Sequence, residues 1–340
     1  MIAGYFSHDA LARRVMSGCT KSLAVFIFLC AASLLLAAPS AWAFGCEGHE
    51  IIAMIAEKHL TAHAQTMVQK LLTENPIDPA LPRYCKQANL DPMAYSATWA
   101  DDYRTAHRET APWHQIDIPI GVTNRVDLAE FCPPSEGCVT QALRDQIAVL
   151  RAPDTNPQKR ADALRFVIHF VGDMHQPLHT SNNNDLGGNC IPVTFFGQAP
   201  KLTNSQYEFY SPNLHGEWDY GILAKAIPEM IVQQVAEELD RKLAPQEAAW
   251  MQGSIDEDAW TWESFQIARD IVYGKLPVPM PVEKPVSNKS CAEDDDISAR
   301  MLKLNEQLGQ PYEDVALPVF EQQIAKAAAR LALVLNQIWP

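Results

Sequence analysis

Between His169 and His179 the chain reads His169-Phe170-Val171-Gly172-Asp173-Met174-His175-Gln176-Pro177-Leu178-His179, three histidines and an aspartate in one short block. His169 and Asp173 are four residues apart, so on a helix they share a face and could grip one ion. Pro177 ends such a helix and leaves His179 beyond it, able to turn towards a neighbouring ion. A second pair at the same spacing follows, His215 and Asp219 in Asn213-Leu214-His215-Gly216-Glu217-Trp218-Asp219. Upstream, Trp99-Ala100-Asp101-Asp102-Tyr103-Arg104 offers carboxylates with an arginine three residues after the first, and Trp113-His114-Gln115-Ile116-Asp117 sets a histidine in an apolar context. In Phe44-Gly45-Cys46-Glu47-Gly48-His49, a free amine on Phe44 would lie five residues before a histidine, able to coordinate metal through amine and carbonyl.

Each feature alone has a plainer reading. A single histidine on an apolar helix is more often a core residue, Asp101 could cap a helix, and His215 with Asp219 could be a surface pair. Five histidines and three aspartates in these spacings together favour several metal ions. Nitrogen and oxygen donors without thiolates suit zinc, with manganese the lesser option. His59, His63 and His107 read as surface residues, His175 as a core residue facing away from Asp173, and Glu217 as solvated.

Helical spacing dominates the elements that must carry these groups. Ile51, Ile52, Ile55 and Leu60 recur at helical intervals, as do Ile231, Val235, Leu239 and Leu243. Pro228 and Pro245 read as first-turn prolines. Leu164 to Met174 is a strongly apolar helix, and Leu317 to Trp339 a long C-terminal one. Strand signal is confined to Ile191–Phe196, beside the polar Ser181–Asn189 stretch, which together read as one short β-hairpin. Pro277, Pro279, Pro281 and Pro285 mark an extended surface segment, followed by an acidic cluster at 293–296. The expectation is one mostly α-helical domain.

Residues 1–43 read as a separate leader. Arg13, Arg14 and Lys21 precede an apolar run from Leu23 to Ala38, and Pro39-Ser40-Ala41-Trp42-Ala43 supplies a small-x-small site, the order of a secretory signal cleaved after Ala43. The run is shorter than the ~20 residues of a membrane span, and a start at Met16 would give a more ordinary leader length. The domain expected is therefore 44–340, exported to the periplasm or the medium and not held at the membrane. Its six cysteines allow 15 connectivities. Cys132–Cys138 closes a small Pro/Gly loop, and Cys46–Cys85 with Cys190–Cys291 is one way to pair the rest. The formal charge of −14 is the wrong sign for a protein that coats duplexes nonspecifically, although bound cations could recruit phosphate locally.

These blocks resemble the zinc-dependent, single-strand-preferring nucleases of mung bean and their fungal and bacterial relatives, in the phospholipase C/nuclease superfamily. The resemblance runs from Phe44 to about Trp262-Glu263-Ser264 and rests on His169–His179, the Gly187-Gly188-Asn189 turn and Asn213–Asp219. It implies an all-α fold of the phospholipase C/nuclease type holding three zinc ions in a cleft. One ion would take Asp101, His114, His169 and Asp173, a second His179, His215 and Asp219. The third would take the Phe44 amine and carbonyl, His49 and Asp173. Asp101, Arg104 and Asp173 would serve catalysis, and Arg104, Gln115, Asp117 and Asn189 would contact substrate. Phe44 stands where relatives carry Trp, and Gln115 where many carry an aromatic that stacks on a base. The implied activity is hydrolysis of single-stranded DNA and RNA to 5′-nucleotides by a monomer, with 3′-nucleotidase activity as a further expectation. A zinc phospholipase C is the alternative, though those enzymes carry Glu where this chain has Asp219. A non-catalytic zinc-binding protein is a more distant one.

Overall fold

The computed structural model describes residues 44–85, 89–203, 210–282, 291, 304 and 306–340. The expected leader at 1–43, Pro285 and the acidic cluster at 293–296 lie outside them. The described residues are mostly helical, as expected.

The chain enters through α1 (Gly45–Lys58) and α2 (Ala62–Glu74), continues through the short α3 (Pro92–Ser96) and α4 (Trp99–Ala106), and then a 3-10 segment, Arg108–His114. Helices α5 (Val139–Arg151) and α6 (Pro157–His175) follow, with a 3-10 turn at Pro177–His179. After the strands come α7 (Leu214–Gly216), a π turn Glu217–Gly221, α8 (Ile222–Ala226), α9 (Val232–Trp250), α10 (Glu257–Ile267) and α11 (Gln310–Ile338).

Helix α6 is the spine. Asn156 caps it, accepting from the amides of Gln158 and Lys159 at 2.9 and 3.3 Å, with Pro157 at its first position. From Ala163 to His175 every residue is buried, so this helix is covered on all sides. It packs on α1, α2, α4, α5, α10 and α11. The approach of α1 depends on Gly172, where a Cβ would stand 2.7 Å from the His49 ring. Alanines 325, 327, 328 and 329 line the buried stretch of α11 and give it a thin face, and α11 packs on α1, α6 and α9.

Two expectations change in detail. The hairpin is Lys201–Leu202 (β2) with Tyr210–Ser211 (β3), while Val193–Phe195 (β1) pairs in parallel with Glu306–Leu308 (β4). A partner more than a hundred residues away leaves no local signal. Neither proline opens a helix: Pro228 lies in a turn ahead of α9 and Pro245 inside it, where it costs the helix one hydrogen bond that the packing of α9 on α1 and α11 tolerates.

All three cysteine pairs form: Cys46–Cys85, Cys132–Cys138 and Cys190–Cys291, at sequence separations of 39, 6 and 101. Chain-entropy arguments make the longest loop the most stabilising, about 4–5 kcal/mol against about 2 kcal/mol for the shortest. The double variant Cys190→Ser/Cys291→Ser is expected to lose roughly twice the unfolding free energy of Cys132→Ser/Cys138→Ser. Denaturant melts of the metal-stripped proteins measure both, and equal losses would contradict the ordering.

Candidate metal centre

Helix α6 delivers His169 and Asp173 one turn apart, both with 0% exposure. The two oxygens of Asp173 face different ways. Oδ2 lies 2.9 Å from His114 Nδ1 and 3.2 Å from His169 Nε2, while Oδ1 lies 3.3 Å from His49 Nε2. Asp101, in the first turn of α4, places Oδ1 3.7 Å from both His114 Nδ1 and His169 Nε2. The His114 and His169 nitrogens are 3.1 Å apart. His49 reaches the cluster from α1 and stacks on the His169 ring at 4.0 Å.

Beyond the end of α6, His179 comes round as Pro177 requires. Its Nδ1 donates to the His114 carbonyl at 2.8 Å, and the Ile116 amide returns a bond to the His179 carbonyl at 2.8 Å. These two bonds hold the His114 and His179 segments together. His215 and Asp219 lie across α7 and the π turn, with Nε2 to Oδ2 at 3.3 Å, and the His215 and His179 rings are 5.1 Å apart. Asn213 caps this piece by accepting from the Gly216 amide. The Phe44 amide donates to the Asp219 carboxylate, so the predicted new N-terminus sits at the centre. The Phe44 ring is buried edge-on to Phe320, and its carbonyl accepts from the Gly48 amide.

These groups fit bound cations. Tetrahedral zinc with bonds near 2.0–2.1 Å holds its donors about 3.3–3.4 Å apart, close to the separations here. Buried His49 Nδ1 and Nε2, Asp173 Oδ1, His179 Nε2 and Asp219 Oδ2 lack hydrogen-bond partners among the described residues, a large penalty unless a cation fills the space between them. The ring nitrogens are pre-set as well. Nδ1 donates to a carbonyl in His169 (Ala97, 2.7 Å), His179 (His114, 2.8 Å) and His215 (Gly187, 2.7 Å), which turns each Nε2 lone pair inward.

Electrostatics agree. Burial drives His114 down to about 4 and His215 to about 3, the first aided by Arg104 and the second by His179. Burial also lowers His169, but Asp173 and Asp101 outweigh it and lift that imidazole to about 9. Burial raises Asp219 well above the carboxylate range, against hydrogen bonds from Gln176 and Phe44. Ion uptake here would displace a proton from His169.

Around this cluster, Arg104 Nη2 contacts Asp101 Oδ1 at 3.1 Å. Asp117 accepts from Asn182 at 3.1 Å and is raised to about 6 by burial. Gln115 is exposed. Asn189 donates to the Leu186 carbonyl at 2.9 Å, tying its own turn together. His175 is a core residue as expected, donating to Val171 and lying 2.8 Å from Arg330. Glu217 is not solvated: it is only 7% exposed and pushed up to about 8 by burial, with Glu313 adding to the effect. Nor is His59 a free surface residue; it meets Asp240 and Glu247.

Sequence reading missed two supports. Gln176 donates to Asp219 Oδ1 at 2.6 Å while accepting from the Leu178 amide at 2.6 Å. Asp185, buried, accepts from the Gly188 amide and from the Tyr273 hydroxyl at 2.9 Å. It thereby fixes the turn whose Gly187 carbonyl holds His215. Gly187 has φ +59, and a Cβ there would meet the Leu178 carbonyl at 2.5 Å. Adjacency to Pro177 marked Gln176 as part of the block, but nothing local pointed to Asp219.

The fold and site define an all-α protein with a buried centre of histidine and aspartate donors arranged for several divalent cations. A family model described as S1/P1 Nuclease matches residues 44–340, and the chain belongs to that family. Similar proteins include Endonuclease 2 of Arabidopsis thaliana, 27% identical over 94% of this chain and 98% of that one. Nuclease S1 of Aspergillus oryzae is 28% identical over 90% and 96% of the two chains. Nuclease P1 of Penicillium citrinum is 32% identical over 52% and 57%.

Gln176→Met is expected to weaken metal binding about 10- to 100-fold, the usual effect of losing a hydrogen bond behind a ligand. Competition against a coloured chelator reads it, and unchanged affinity would show that Asp219 does not need this support.

Proposed function

We propose that the chain from Phe44 onward is a secreted or periplasmic zinc-dependent phosphodiesterase. It hydrolyses single-stranded DNA and RNA to 5′-nucleotides and removes phosphate from 3′-nucleotides. The observation that carries the reading is Asp173, whose two buried oxygens face separate groups of imidazoles, as a carboxylate bridging two ions must. Family membership supplies the reaction class.

In this reading Asp101, His114, His169 and Asp173 hold one zinc, and His179, His215 and Asp219 a second. The Phe44 amine and carbonyl, His49 and Asp173 hold the third. Zinc bound there supplies Lewis-acid charge and lowers the pKa of water at the site towards neutrality. Arg104, anchored on Asp101, offers a guanidinium to the phosphate. Gln115 and Asp117 face the base, with Asp117 oriented by Asn182. Gln115 offers no aromatic face, so this chain forgoes the ~1–3 kcal/mol that base stacking contributes. Asn189 acts through the turn it closes. A net charge of −14 then restricts phosphate attraction to the centre. Three disulfides suit an oxidising compartment, and no helix among the described residues is long and apolar enough to cross a membrane.

The protein beginning at Phe44, loaded with zinc and given single-stranded DNA or RNA, is expected to release 5′-mononucleotides in a chelator-sensitive way. Release of diacylglycerol from phosphatidylcholine, with no nucleotide from either nucleic acid, would move the activity to the phospholipase side of the superfamily. Asp173→Asn is expected to lose at least about 10³-fold in kcat, as removal of a key charge-stabilising group does, together with bound zinc. An active, fully metallated variant would refute the bridge.

The N-terminus has its own test. A chain that retains Ala43 is expected to bind one zinc fewer and to be slower, because its Phe44 nitrogen is an amide rather than an amine. Identical zinc content and rate in the two chains would reject Phe44 as a ligand.

A further inference from the structure

At the far end of α1 from His49, ten residues on and about 15 Å along the helix, a second set of donors converges. His59, the residue that ends α1, lies with Nε2 2.8 Å from Asp240 Oδ1 and 3.4 Å from Glu247 Oε2. The donor atoms of these three residues all fall within 4.8 Å of one another. Asp240 and Glu247 stand seven residues apart on α9, so two turns of one helix present them on the same face. We propose that His59, Asp240 and Glu247 form a further zinc site, separate from the centre, which clips the C-terminal end of α1 to α9.

An acidic pair beside a histidine is not enough by itself. Glu247 is the second observation. Its side chain is 1% exposed, it points into the cluster, and its oxygens meet only the His59 imidazole, at 3.4 Å and outside good hydrogen-bond geometry, and the Asp240 carboxylate. An imidazole N–H directed at Asp240 cannot also satisfy two oxygens of a second carboxylate. A divalent cation can neutralise both acids at once. The spacing suits it, since 2.8 and 3.4 Å bracket the edge of a tetrahedron with bonds near 2.0–2.1 Å.

The surroundings hold the donors in place. The Asn336 side chain, on α11, donates to the His59 carbonyl at 2.9 Å and accepts from the Thr61 amide at 2.7 Å, fixing the backbone that carries the imidazole. Lys58 engages Asp240 through the other oxygen, Oδ2, at 3.1 Å, which leaves Oδ1 facing His59. One imidazole and two carboxylates suit zinc better than calcium or magnesium, which prefer all-oxygen shells. With three protein donors, and His59 and Asp240 reachable from solvent, water completes the coordination. The role is structural: α1 carries His49 near one end and this clip at the other.

The test is a count of bound zinc. The chain from Phe44 onward is stripped with chelator, dialysed to equilibrium against buffered zinc, and measured by elemental mass spectrometry beside Glu247→Gln and His59→Gln. Each variant is expected to carry one equivalent fewer than the parent while hydrolysing single-stranded DNA at the parental rate. Because the result is a difference, it does not depend on how many ions the centre holds or on the substrate assigned to it. Equal zinc in parent and variants would overturn the proposal and leave His59 as an imidazolium between two carboxylates. Loss of two or more equivalents with a fall in hydrolysis would overturn it too, since the ions would then be leaving the centre through a displaced α1.

Discussion

The structure depends on burying charged and polar donors around Asp173 in the middle of the molecule. A carboxylate withdrawn from water costs several kcal/mol even after relaxation unless opposite charge is brought to it. Here Asp101, Asp173 and Asp219 are all buried, among five buried imidazoles. In the absence of ions, a proton on His169 supplies part of the compensation, which is why that imidazole is held near 9 while burial drives His114 and His215 down. Cations exchanged for that proton would satisfy the oxygens and nitrogens that hydrogen bonds leave unmet.

Much of the fold can be understood as what such a cluster requires. Four separated segments must meet at α6, and each is fastened close to its ligand. His114 and His179 are joined by the bond from the His179 ring to the His114 carbonyl and by the Ile116 amide on the His179 carbonyl, His215 is held by the Gly187 carbonyl, and Asp219 by Gln176. Gly172 lets α1 come close enough for His49 to stack on His169. The Cys46–Cys85 bridge ties the first turn of α1 to the segment preceding α3, close in sequence to Phe44. These are stiff supports, and stiffness holds the donors at metal-binding separations.

Cations held in the interior, as proposed, would also account for the charge balance of the whole chain. A protein with net charge −14 repels a polyanion at long range, so attraction must come from a local concentration of positive charge with Arg104 at its margin. In the proposed reading, such an arrangement would favour substrates that can bring one phosphate and one unpaired base to the cluster over rigid duplexes that must approach along a broad surface.

Where side-chain types and short spacings carried the information, the site was legible in the sequence. His169 with Asp173 and His215 with Asp219 follow from helical periodicity, the position of His179 from Pro177, and the helical class from apolar repeats. Less was legible where the partner is distant. The parallel pairing of Val193–Phe195 with Glu306–Leu308, the contact of Gln176 with Asp219, the burial of Glu217 against Glu313 and the meeting of His59 with α9 all join residues 40 to 190 positions apart. No local pattern records them. The sequence alone determined the donor types, their grouping on helices and hence the class of centre, because backbone periodicity and ligand chemistry are local properties. Tertiary packing decided which donors face one another, which nitrogen of each imidazole points inward and which acids are cut off from water, because those depend on how close separate helices come.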